Sequence, residues 1–190
     1  MARSDAQIAF VPLGAPLSMV SGAGTVITSN VLDILGEGVG VNPLTGNDII
    51  GNVTTFGADM GVGSGNRPEL LISVGTTFTG PVGQQLKIAL QAAPDAGAPT
   101  YLPGTWTDIV SQDGITLANL VAGAIPFRTP FLPVMPANLR PRYLRLAFSP
   151  MTATTLPSGN FTAGTIAFAL VTWARDDQAN KFAARNYTVA

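Results

Sequence analysis

The chain contains no cysteine and no histidine. Without thiols there can be no structural disulfide, thiolate nucleophile, iron–sulfur cluster or cysteine-based zinc site. Without imidazole, the usual general base near neutral pH and the commonest transition-metal ligand are both missing. Lysine and glutamate are nearly as scarce, with Lys87 and Lys181 the only lysines and Glu37 and Glu69 the only glutamates. A Ser–Lys nucleophile, a carboxylate pair or an oxygen-only Ca²⁺ or Mg²⁺ site stays chemically open. The supply is thin, and the expectation is a protein that is not an enzyme and takes no cofactor or metal.

Charge is short as well. Ten basic residues against eleven acidic ones give a net charge of −1, which leaves no positive excess to hold a phosphate backbone. Specific nucleic-acid binding is therefore not expected. Charged residues make up 11% of the chain, against roughly 25% in ordinary soluble domains. A surface so poor in charge self-associates readily, which suits a protein that works in an assembly. Residues 164–174 form the most apolar stretch, about half the length a membrane helix needs. The first residues, with Arg3 followed by Ser4-Asp5-Ala6-Gln7, lack the apolar run of a secretory signal. The chain is expected to stay where it is made until it joins something larger.

What the sequence does have is β pattern. At 190 residues it fits one domain, which can bury roughly 70% of the surface its unfolded form exposes. Residues 1–17 read as an extended N-terminal arm, because Pro12 and Pro16 break any helix while Ile8, Phe10 and Val11 are apolar without a sustained period. An edge strand of the same domain is the alternative. The remaining residues, 18–190, read as a single β-sandwich. A first strand is expected at 25–35, and a glycine- and asparagine-rich loop insertion, with one short strand at 49–56, at about 36–67. Leu70, Ile72 and Val74 share one face, as do Leu86, Ile88 and Leu90. Strands are then expected at 106–112 and 115–121, separated by Asp113-Gly114. A proline-rich edge segment at 125–131 follows. Leu144, Leu146 and Phe148 point inward from a strand at 142–149, and Ile166, Phe168 and Leu170 from one at 162–173. A polar turn at 176–181 and a last strand at 182–189 complete an all-β, two-sheet antiparallel sandwich of the jelly-roll kind.

Several candidate sites compete with plainer readings. The glycine strings near Gly36 and Gly61 are not followed by Lys-Ser/Thr or by a helix, so turns explain them better than phosphate binding. Asp48, Asp59, Asp95, Asp108, Asp113 and Asp176-Asp177 lack the spacing of a calcium loop and read as turn carboxylates. Arg140, Arg142 and Arg145 stand within six positions. They form either a solvated outer sheet face or a set of guanidinium forks for a partner's carboxylates. Trp106, Trp173, Phe127 and Phe131 read as core residues before binding platforms.

Three runs carry a family resemblance: Pro68-Glu69-Leu70-Leu71-Ile72-Ser73-Val74, Leu86-Lys87-Ile88-Ala89-Leu90-Gln91 and Trp106-Thr107-Asp108-Ile109-Val110. With residues 139–146 and 164–171, and with Ser29-Asn30-Val31-Leu32-Asp33, they resemble the jelly-roll capsid cement (decoration) proteins of tailed bacteriophages, the Bordetella-phage type in particular. The 36–67 insertion departs from the shorter members. The resemblance implies a structural virion protein on the outer capsid surface, a dimer or trimer that bridges capsomers of an expanded shell built from an HK97-type major capsid protein. Capsid or inter-subunit contacts would then come from Ile8, Phe10 and Val11, from Arg140, Arg142 and Arg145, and from the insertion. The rival is a carbohydrate- or receptor-binding module of a phage tail using Tyr101, Trp106 and Asp108. A cupin-type enzyme would need histidines that are absent.

Overall fold

Leu86, Ile88, Leu90 and Ala92 alternate with Gln85, Lys87, Ala89 and Gln91, so an extended chain puts the three large apolar side chains and Ala92 on one face. In the computed structural model this segment is a central strand of a two-sheet sandwich, and those four side chains lie in its core. The structure describes residues 3–33, 39–41, 48–50, 68–97, 102–130, 143–153 and 156–173. Its strands are β1 (Arg3–Val11), β2 (Leu17–Ser18), β3 (Ile27–Thr28), β4 (Leu32–Asp33), β5 (Val39–Val41), β6 (Asp48–Ile50), β7 (Pro68–Thr79), β8 (Gln85–Ala93), β9 (Thr107–Thr116), β10 (Phe127–Pro130), β11 (Tyr143–Met151) and β12 (Ala163–Trp173). One 3-10 turn, Leu117–Asn119, follows β9.

The first sheet runs β1-β12-β7-β10, with β2 also on β12, and the second runs β3-β11-β8-β9, with β4 also on β11. All these pairs are antiparallel. Strands β5 and β6 form a hairpin of their own. Leu70, Ile72 and Val74 of the first sheet and Leu144, Leu146 and Phe148 of the second meet in one hydrophobic core. Fully burying each such side chain contributes about 1.5–3 kcal/mol. Among the described strands, taking β1 with β2, and β3 with β4, as two interrupted strands and setting the β5–β6 hairpin aside, the first long strand pairs the last. The second then pairs the next to last, and so on inward to β8 with β9. Successive pairs fall in opposite sheets, so these described strands follow one long antiparallel hairpin wrapped around a core.

Four features differ from the sequence expectation, each for a local reason. The segment 1–17 is not a separate arm: β1 and β2 form the edge of the first sheet along β12. The strand expected at 25–35 is interrupted at Ser29, whose hydroxyl accepts from the Leu146 amide at 2.9 Å in place of a backbone carbonyl. Asp113-Gly114 does not turn the chain. Gly114, with φ +71°, sits at a register shift inside β9, where an extra residue bulges against β8. In β12, register shifts around Ile166 reset the period, so Ile166, Ala169 and Val171 enter the core cluster while Phe168 is only half-buried. The remainder of the 36–67 insertion, the 176–181 turn and the 182–189 strand lie outside the described residues.

Candidate interaction surface

Polar side chains gather on the outer face of the second sheet. There Gln91 of β8 and Asp108 of β9 are paired across the ladder, and Arg145 of β11 is paired with Gln91 from the other side. The Gln91 amide donates to Asp108 Oδ1 at 2.8 Å, and Arg145 Nε donates to Gln91 Oε1 at 2.8 Å. Lys87 Nζ lies 2.9 Å from Asp108 Oδ2 and 3.8 Å from Asp113 Oδ1. The Arg145 guanidinium stacks over the Trp106 ring, 4.1 Å from its centroid.

These groups satisfy one another and leave little for a ligand. The hydrogen bond to Asp108 raises the Lys87 pKa, aided by the charges of Asp108 and Asp113 and opposed by burial. Partial burial pushes Asp108 upward, but hydrogen bonds from Gln91 and Lys87 outweigh it and hold the carboxyl below its ordinary value. Burial lowers the Arg145 pKa. Among the described residues, no three acidic side chains gather as a metal-binding group, and no helix is long and apolar enough to cross a membrane.

The residues singled out in the sequence separate. Phe10 and Val11 are 1% and 2% exposed, inside the core between the sheets. Their side chains hold β1 to its own domain, and the expectation that they face a partner does not fit this placement. Ile8 belongs to β1, but its side chain lies outside the described residues. Arg145 is engaged through Nε by Gln91 and stacks on Trp106, while Arg140 and Arg142 lie outside the described residues. Trp106 and Asp108 do come onto one face; Tyr101 lies outside the described residues. Phe127 is a core residue, as expected, whereas Trp106 is a half-buried outer-face residue.

A second surface emerges at one end of the sandwich. Register places Met151 and Thr116 beside Gln85, and Ala163 beside Thr79. The connections at 19–26, 80–84 and 117–126 and the described residues 152–153 and 156–162 therefore converge there. They are tied together. Gln84, almost fully buried, donates through its side-chain amide to the carbonyls of Met151 at 2.9 Å and Ser158 at 3.0 Å. The Gly24 amide donates to Gly159 at 2.7 Å, Phe78 to Leu120 at 2.9 Å and Thr162 to Thr79 at 2.8 Å. Beneath them Phe78 and Phe161 meet edge to face at 5.0 Å. Outward from this rigid base point Val20, Val82, Val121 and Leu156, all exposed. Beside Val121 lies an open groove of about 450 Å³, lined by Ile115, Ile125, Pro126 and neighbouring uncharged residues.

No charged residue belongs to any of these four connections. Residues 6–32, 70–86, 114–127 and 146–174 hold no Asp, Glu, Lys or Arg, and each run contains one connection. Lys87 and Asp113, just outside two of these runs, face each other. The signal was present in the sequence as four long charge-free runs, but their convergence depends on strand pairing, which periodicity does not specify. No protein-family model matches this sequence, and no curated protein matches it.

Proposed function

We propose that the protein is a structural component of an assembly, a cement protein that binds the outside of an expanded HK97-type phage shell and bridges its capsomers. The observation that carries the assembly role is the charge-free loop end. A rigid surface showing Val20, Val82, Val121 and Leu156 to solvent is costly for a protein that works alone and ordinary for one that is covered in use.

The phage setting has separate support. The resemblance of residues 68–74, 86–91, 139–146 and 164–171 to cement proteins is one strand of it. Among the described strands, the pairing of first with last and second with next to last supports reading the sandwich as a jelly roll, an architecture common in virus shells. A ligand that binds the assembled lattice, and not its loose subunits, stabilises the lattice by its binding free energy. Many symmetric copies multiply that effect.

The sugar-binding reading has less behind it. Arg145 covers one face of the Trp106 ring, and both Asp108 oxygens are held by Gln91 and Lys87. The test is a copy count by quantitative mass spectrometry on purified virions that carry the gene. Near-equimolar ratio to the major shell protein is expected. A handful of copies per particle would favour a tail component, and absence from the particle would overturn the reading.

A further inference from the structure

We propose that the free edge of β9, with the groove beside it, takes up a short extended segment of the partner protein, which joins the second sheet as an added strand. The proposal rests on the reading of the loop end as an attachment surface. It goes further by naming where along the domain the partner lies and what form it takes.

The sheet edges carry the first part of the argument. An unpaired edge offers a row of backbone N–H and C=O groups to any extended chain, and proteins blunt such edges with short strands, proline or charge. Among the described strands, all the sheet edges but one are blunted in these ways. Strands β3 and β4 are two residues each. Strand β10 has four residues, ends at Pro130 and starts just after Pro126, and β1 carries Arg3, Asp5 and two register shifts. Strand β9 is ten residues long, holds no proline and closes the second sheet, with no strand on its other side among the described residues. Its middle, Ile109-Val110-Ser111-Gln112, is uncharged, and Ser111 and Gln112 are exposed. Register shifts between Asp108 and Val110, and between Gln112 and Ile115, bound this stretch. Bulges end regular pairing, so the edge fits one segment of about five residues, roughly 17 Å of extended chain, and not an open-ended stack.

The groove indicates what that segment carries. It is lined by Gln112, Gly114 and Ile115 of β9 and by Val121, Ile125 and Pro126 of the connection that follows. Val121 also belongs to the exposed loop end, so groove and end form one continuous surface. A strand laid along β9 turns every second side chain toward the groove, where apolar residues fit; backbone bonds then supply affinity and the alternate side chains specificity. Asp113 stands in sequence between two groove-lining residues. Its side chain is 54% exposed, and Lys87 Nζ lies nearer Asp108, at 2.9 Å, than Asp113, at 3.8 Å. A basic residue on the segment completes the pairing of Asp113. A second copy of this chain does not supply one, because its β9 brings Asp108 and Asp113 and no cation. The occupant is therefore an extended, mainly apolar segment of a different protein, with a lysine or arginine beside Asp113.

Hydrogen exchange of the full chain, free and bound at saturation to expanded shells, tests this when read residue by residue by mass spectrometry with electron-transfer fragmentation. In the free chain the β9 amides that face β8 should exchange slowly and those on the open edge quickly. On the shell the fast set within residues 109–113 should slow tenfold or more. Ile125→Asp, at a groove position that is 53% exposed, and Asp113→Asn should each lower shell occupancy several-fold while keeping melting temperatures near that of wild type. Leu102→Asp, exposed in the β8–β9 connection at the opposite end, should bind as wild type does. Bound chain whose open-edge amides still exchange quickly overturns the proposal, as does wild-type occupancy by either variant; in both cases shell binding itself stands. A chain that does not bind shells overturns the shell reading and this proposal with it.

Discussion

The side-chain amide of Gln84 donates to the carbonyl of Ser158 at 3.0 Å and so locks together two connections far apart in sequence. A second bond from the same nitrogen reaches Met151 at 2.9 Å. Gln84→Ala leaves two carbonyls short of a donor where water has little access, at a cost of about 2 kcal/mol. For a chain of this length that corresponds to a fall in melting temperature of about 4–8 °C. Differential scanning calorimetry would show it. A melting temperature unchanged to within about 1 °C would mean that Gln84 does not organise this end.

Phe10 separates the two roles considered for the first strand. As a core residue packed between the sheets, its truncation to Ala should cost about 3–5 kcal/mol of stability in the isolated protein. Urea denaturation measures this directly. An interface residue would leave the isolated protein's stability nearly unchanged and lower only its occupancy on particles. Deleting residues 1–13 should likewise destabilise the domain, because it removes the whole of β1 with Phe10 and Val11.

The Lys87–Asp108 pair gives a pH signature. Asp108 has a depressed pKa in the folded protein, so its contribution is present above the unfolded value and is lost as pH falls through the lower, folded one. Lys87 has a raised pKa, so its contribution is present below the unfolded value and fades as pH rises through the folded one. The Asp108 side chain is 38% exposed, which with solvent screening limits the pair to about 0.5 kcal/mol at pH 7. Asp108→Asn should therefore be slightly less stable than wild type at pH 7. The gap should close below the ordinary aspartate value of 3.8, as read from urea midpoints between pH 7 and pH 3. A gap of constant size would remove the charge from the explanation.

The inward sets of β8 and β11 were legible because an unbroken period of two writes itself directly into the residues. Leu86, Ile88 and Leu90, and likewise Leu144, Leu146 and Phe148, are all core residues. The period failed where a bulge resets it. Phe168 had the right spacing for the core, yet the shift beside Ile166 hands its place to Ala169. Asp113-Gly114 has the composition of a hairpin turn, and nothing local distinguishes that from a bulge facing a neighbouring strand. Arg145 was visible as an arginine, but its partners Gln91 and Trp106 lie 54 and 39 positions away. The charge-free end was the least legible, since its four parts adjoin only once first strand pairs with last.

The most direct measurement is binding of the purified chain to expanded shells assembled without it, followed by titration of bound copies and of the shell's own melting temperature. Saturation at a fixed ratio to the major shell protein, with a shell that melts higher as sites fill, is the predicted result. Failure to bind at tens of micromolar, or binding that leaves shell stability unchanged, would contradict it.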